Sequence, residues 1–169
     1  MVNLSSKEKF LLEGERYQQQ LAIDKYNDYA LQAQDSNLRY LFSNLAKIEQ
    51  KHLDMVNEML QGIVPKFNKE FIHPYYENSS FNSSDYLNVG NITLTSMDDN
   101  YNDGDKIICF NALTTEELLH STYSSSSFEF EKTEFSNVFK FIIDEKNENL
   151  KYINDYMYKK GMHNNTIYF

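Results

Sequence analysis

The strongest constraint on how this chain can fold is that its apolar pattern occurs twice. Adding 97 to first-half positions pairs Tyr26 with Tyr123, Leu38 with Phe135, Leu41 with Val138, Phe42 with Phe139, Leu45 with Ile142 and Leu53 with Leu150. The same shift carries Val56-Asn57-Glu58 onto Ile153-Asn154-Asp155, without a gap until near the terminal glycines. Shared amphipathic patterning accounts for some apolar pairs, but the Asn-acidic step and the matched tyrosines point to duplication of one supersecondary unit.

Each copy reads as a helical hairpin. In the first, Ser5-Ser6 offers capping hydroxyls with Glu8 following, and Phe10, Leu11, Tyr17, Leu21, Tyr26 and Ala33 keep helical spacing, with Gly14 weakening the pattern locally. Asp35 or Ser36 can cap a second helix, whose apolar face runs from Leu38 through Leu45, His52 and Val56 to Leu60. Gly62 and then Pro65 stop it. In the second copy, Thr114 and Glu117 stand at capping-box spacing, so the third helix is expected to open there. It continues through the serine run Ser124 to Ser127, where apolar phase is kept, and through Phe130 to a turn near Lys132-Thr133. The fourth helix uses Phe135, Val138, Phe139, Ile142, Leu150, Ile153 and Met157 and ends near Gly161. The reading is all-α: one domain over 1–169, with hairpins over 6–62 and 113–161 and a crossover over 63–112.

Between the hairpins periodicity disappears and Asn, Ser, Asp and Tyr dominate. So long a loop has one physical use here, to span a bundle whose second and third helices run parallel. Asn91 to Thr95 alternates weakly and suits a short extended stretch. With 13 Tyr, 12 Phe and no Trp, aromatic rings carry much of the expected packing. A formal charge of −9 and the lack of a basic stripe argue against nucleic acid. No apolar run is long enough for a signal peptide or a membrane span, so cytoplasmic synthesis is expected. Cys109 is single, which excludes an intramolecular disulfide and fits a buried thiol.

The repeat offset also locates a candidate site. Glu49 and His52 project from one helical face, as the Glu-x-x-His motif does on two helices of carboxylate-bridged di-metal bundles. The offset maps Glu49 to Lys146, His52 to Asn149, and Glu116 back to Gln19. Of the six positions such a site needs, only Glu49, His52 and Glu116 keep ligand types. Lys146 places an ammonium where a bridging carboxylate offsets metal charge, which opposes loading. The expected arrangement is metal-free, with Glu49 and Glu116 paired to Lys146 and with Gln19 and Asn149 supplying hydrogen bonds.

These residues carry a family resemblance. Leu113-Thr114-Thr115-Glu116, Tyr123, Phe128-Glu129-Phe130, Tyr156-Met157 and Gly161-Met162 resemble the second half of clostridial coat F-type spore coat proteins. Ser43 through His52, Gly62 and Pro65 are similar to their N-terminal repeat. The resemblance implies a ferritin-like four-helix bundle with a structural or assembly role in the endospore coat. It implies other spore coat proteins as partners, with homo-oligomers an open alternative, and no membrane insertion. It also implies Glu-x-x-His in both halves, from which this chain departs at Gln19, Lys146 and Asn149; His163 replaces a tyrosine. No cofactor is expected. The alternative is an iron or manganese redox enzyme of rubrerythrin or manganese-catalase type working through Glu49, His52 and Glu116.

Other features carry less. Asp98 to Asp105 has the composition of a calcium loop, but Gly104 is out of EF-hand register, so a solvated acidic turn is expected. Asn78, Asn82, Asn91 and Asn164 begin Asn-x-Ser/Thr sequences that arise easily in such a chain. His73 and His120 are assigned ordinary polar roles. Gln18 to Gln20, the lysines and the tyrosines suit either coat cross-linking or plain packing. No catalytic triad or phosphate loop is present.

Overall fold

The computed structural model describes residues 2–67 and 101–163. They form four helices and no strand: α1 (Ser6–Gln32), α2 (Ser36–Leu60), α3 (Asp103–Ser127) and α4 (Thr133–Lys159). Local chemistry sets most of the boundaries. Ser5 Oγ accepts the Glu8 N–H at 3.2 Å while the Glu8 carboxylate accepts the Ser5 N–H at 2.7 Å, a closed capping box. Asp35 caps α2 by accepting the N–H groups of Asn37 and Leu38 at 2.8 and 3.1 Å. Both hairpins end on a left-handed glycine, Gly62 at φ 74° and Gly161 at φ 68°. A side chain at Gly62 would also run into the Val2 carbonyl, because Val2 N–H donates to Gly62 O at 2.7 Å. Gly14, expected to weaken α1, is passed without a break.

Short connections fold α1 against α2 and α3 against α4. Cross-hairpin bonds set their direction. Gln34 meets Asp105, Tyr26 meets Glu116, Gln19 meets Tyr123 and Glu15 meets Ser126, so α1 and α3 are antiparallel and α2 runs the same way as α3. Aromatic rings dominate the core: Tyr26, Tyr123, Tyr156, Phe42, Phe135 and Phe139 are among the largest fully buried side chains. Tyr26 stacks on Phe42 with centroids 6.0 Å apart, and Tyr123 meets Phe139 at 5.8 Å, the pair 97 residues further on.

The third helix begins eleven residues before Thr114, where the capping-box spacing predicts its start, so the interval 63–112 is not all crossover. Asn102 Oδ1 caps its first turn through the N–H groups of Gly104 and Asp105 at 2.7 and 3.4 Å, and Asp103 and Asp105 suit the positive end of the helix dipole. The nearby Asp/Asn cluster is therefore a helix start at 102–105 rather than a solvated turn. Asp105 is 3% exposed, and Ile108, Cys109 and Ala112 follow it into the core. Thr114 and Thr115 lie mid-helix with hydroxyls bonded to the carbonyls of Phe110 and Asn111. At its other end α3 stops at Ser127, leaving buried Phe130 in the turn to α4. The rest of the segment expected as a crossover, 68–100, with Asn91 to Thr95, His73, Asn78 and Asn82, lies outside the described residues, as does Asn164.

Asp105 ties the hairpins together, because its two carboxylate oxygens accept the N–H groups of Gln34 and Asp35 at 2.8 and 3.0 Å in the α1–α2 turn. Asp105→Ala strands both donors and is expected to cost about 2–3 kcal/mol in urea unfolding. Asp105→Asn, which keeps one acceptor, is expected to cost less; an unshifted midpoint for the alanine variant would contradict this role.

Candidate functional site

All six residues at the mapped positions meet in the middle of the bundle. Gln19, Glu49, His52, Glu116 and Lys146 are 0% exposed and Asn149 is 1%. Gln19 comes from α1, Glu49 and His52 from α2, Glu116 from α3, and Lys146 and Asn149 from α4.

Glu49 is the hub. Its Oε2 accepts hydrogen bonds from Lys146 Nζ and Gln19 Nε2. Its Oε1 accepts Asn149 Nδ2 at 3.0 Å. His52 Nδ1 lies 3.5 Å from Oε2, an electrostatic contact without hydrogen-bond alignment. Glu116 is less well supplied. Its Oε1 accepts Tyr26 Oη at 2.6 Å and Asn149 Nδ2 at 3.3 Å, while Oε2 has no hydrogen-bond partner and sits 3.7 Å from Lys146 Nζ.

Three participants escape the sequence argument for the site. Tyr123 Oη donates to Gln19 Oε1 at 3.0 Å, as Tyr26 does to Glu116. Glu145, 27% exposed, holds His52 Nε2 at 2.6 Å and links the centre to the surface. A signal for the tyrosines exists, since Tyr26 and Tyr123 match at the 97-residue offset. Glu145 has none, because its neighbour Lys146 occupies the mapped position.

Charge follows from this supply of partners. Burial pushes the Glu49 carboxyl up, but the Lys146 ammonium, with help from His52, more than reverses that and holds it at about 2. Burial also raises Glu116; Lys146 pulls it down and repulsion from Glu49 lifts it, leaving it at about 7. Burial disfavours the His52 imidazolium, yet its contacts to Glu145 and Glu49 raise its pKa above the ordinary value. Burial and neighbouring carboxylates keep the Tyr26 and Tyr123 phenols protonated. Counted as ions, Glu49, Glu116 and Glu145 face only Lys146 and His52, so the cluster has one carboxylate too many. A proton on Glu116 balances it.

A metal does not fit this arrangement. The ammonium of Lys146 stands between Glu49 and Glu116, and among the described residues no three His, Cys, Asp or Glu side chains are placed to hold an ion together. The two buried atoms without hydrogen-bond partners, Glu116 Oε2 and His52 Nδ1, both lie within 4 Å of a charged partner, Lys146 Nζ and Glu49 Oε2 respectively. Cys109 is buried, and desolvation raises its thiol pKa far above the ordinary value, so it is no ready nucleophile.

The chain is thus an all-helical bundle protein organised around a buried, ion-paired polar centre. Residues 104–166, from the first turn of α3 past the end of α4, match the family model of the Coat F domain. The match bears out the resemblance of the second hairpin to coat F-type spore coat proteins; the first hairpin lies outside it. No curated protein and no solved structure matches the chain.

Proposed function

We propose that this protein is a structural component of the bacterial endospore coat, built as a ferritin-like bundle from a duplicated hairpin whose di-metal site has become an ion-paired brace. The Coat F domain is the observation that carries the coat assignment. Support for the duplication lies in the bonds themselves: Tyr26 donates to Glu116 and Tyr123 to Gln19, a pair related by the 97-residue offset at both ends. Lys25 to Thr115 at 3.2 Å and Thr122 to Gln18 at 3.4 Å are related in the same way. The parallel course of α2 and α3 is what a long crossover connects. In this reading the tethered cation of Lys146 takes over the charge balance a metal would supply, so the helices lock without metal supply or redox chemistry. None of the described helices is long and apolar enough to cross a membrane, in keeping with a role inside a protein layer.

Two measurements test the proposal. The chain is expected in coat extracts of purified spores, with expression confined to sporulation; its presence in growing cells and absence from coat extracts would refute the location. Elemental analysis of freshly purified protein is expected to find well under one Fe or Mn per chain. Stoichiometric metal that disappears in Glu49→Ala would sink the metal-free brace and favour the redox alternative.

A further inference from the structure

The buried centre holds the parts of an acyl transfer in contact with one another. Lys146 Nζ, a primary amine, donates to Glu49 Oε2 and lies 3.7 Å from Glu116 Oε2. Glu49 is a carboxylate in direct reach of that amine's protons. Glu116 is uncharged below about 7, because burial first, and then repulsion from Glu49, disfavour its ionised form. Its Oε1 accepts Tyr26 Oη at 2.6 Å and Asn149 Nδ2 at 3.3 Å, two donors that polarise the carbonyl as an oxyanion hole does. Its Oε2, on the side of the amine, is buried and no hydrogen bond holds it. Lys146, Glu49, Glu116 and Tyr26 are 0% exposed, so bulk water is kept from the amine and from the acyl carbon. An ion-paired brace alone needs only a cation between two carboxylates. It does not need one of them neutral, doubly bonded on its far oxygen and bare on its near one.

We infer that Lys146 and Glu116 condense into an amide between their side chains, a covalent tie from α3 to α4 made by the centre itself. Lys146 Nζ passes one proton to Glu49, and its lone pair then adds to Glu116 Cδ. The charge that builds on Oε1 meets the Tyr26 and Asn149 donors. The C–O bond to Oε2 breaks, and the leaving hydroxyl takes a second proton from the nitrogen. An ammonium, a carboxylate and a carboxylic acid thus become an amide, a carboxylic acid and one water. Charge is unchanged, and no oxidant, metal or further reactant is consumed.

The step is slow, because Glu49, held at about 2 by Lys146, is a weak base. The ion-paired centre is therefore the reactant, and it is the form expected in freshly purified protein. Confinement works in the other direction: groups fixed in contact react as if at effective concentrations on the order of 10⁵ M or more. The inference rests on the metal-free centre and not on the coat location.

Intact mass spectrometry of the full chain decides it. Fresh protein is expected at the mass of its sequence. Protein held for weeks in mildly acidic buffer, below its unfolding temperature, is expected to lose the mass of one water. Trypsin cuts at Lys132 and Lys140, between the two residues, so a digest of the aged chain is expected to yield the Glu116 and Lys146 peptides as one linked species. Glu49→Gln keeps an acceptor for Lys146 but is no base, and is expected to slow the loss about a hundredfold. Tyr26→Phe, which removes one donor from Oε1, is expected to slow it by a similar factor. An aged wild-type chain at full mass would overturn the bond, as would a water loss that maps elsewhere or persists in Lys146→Met. An unchanged rate in Glu49→Gln would overturn the part given to Glu49. Stoichiometric metal would remove the inference together with the brace, whereas a metal-free chain of undiminished mass removes the bond alone.

Discussion

Lys146→Met is expected to lower the unfolding free energy by about 3–5 kcal/mol, because it removes one partner of a fully buried ion pair and leaves the other. Methionine is unbranched, only one atom shorter, and fills most of the same space, so the loss is mainly electrostatic rather than a cavity. Glu49 would keep its bonds from Gln19 and Asn149 but lose the ammonium that outweighs its burial. Glu49→Gln alone leaves the Lys146 ammonium with only Glu116 at 3.7 Å, and is expected to be costly too. The double variant removes both charges and is expected to lose clearly less than the two single variants together, giving a coupling of roughly 2–3 kcal/mol in a double-mutant cycle. Urea unfolding at neutral pH measures all three; additive losses would refute the brace. The loss should also shrink in acid. Glu49 titrates at about 2 when folded against 4.5 ordinarily, so its contribution is present above 4.5 and disappears as pH falls towards 2.

The six-residue centre is legible in the amino-acid sequence because a constant 97-residue offset in the pattern carries positions from one hairpin to the other. Helical phase places Glu49 and His52 on one face, and the constant offset then names the positions that must face them, whatever residues now occupy them. That is why Gln19 and Asn149, unremarkable alone, can be placed at the centre. Glu145 cannot, since it lies one residue off the mapped position and reaches His52 from the bundle's side. The start of α3 is illegible for a different reason. Asn102, Asp103, Gly104 and Asp105 are poor helix formers by propensity, and only tertiary bonds from Asp105 to Gln34 and Asp35 disclose that the segment is a docked helix end. The Thr114 capping box is a true local signal overridden by its surroundings, since both threonine hydroxyls find carbonyls one turn back. Phe10, Tyr17 and Leu21 read in the sequence simply as helical pattern and turn out exposed on α1, because exposure is a property of the assembled bundle.

Glu116 is expected to make the protein less stable as pH rises, the reverse of the usual carboxylate. Its folded pKa of about 7 lies above the ordinary 4.5, so its contribution is fully present below 4.5 and is lost as pH rises through 7. Over that interval the loss amounts to about 3 kcal/mol, since each tenfold change in proton affinity is worth about 1.4 kcal/mol. The physical cause is burial first, and then the imbalance of the centre: a second ionised carboxylate must share Lys146 with Glu49, while its Oε2 has no hydrogen bond to stabilise the charge. Glu116→Gln keeps an acceptor for Tyr26 Oη and cannot ionise, so its stability should lack this decline and exceed the wild type's above pH 7. His52 also titrates with a raised pKa, which tilts both proteins in the same direction; its charge is a minor influence on Glu116, so most of that tilt is common to the two. Urea midpoints of the two proteins at a series of pH values are expected to diverge between about 4.5 and about 7 and to run parallel beyond. Parallel profiles throughout would mean that Glu116 enters the fold already ionised, and that the extra proton of the cluster sits elsewhere.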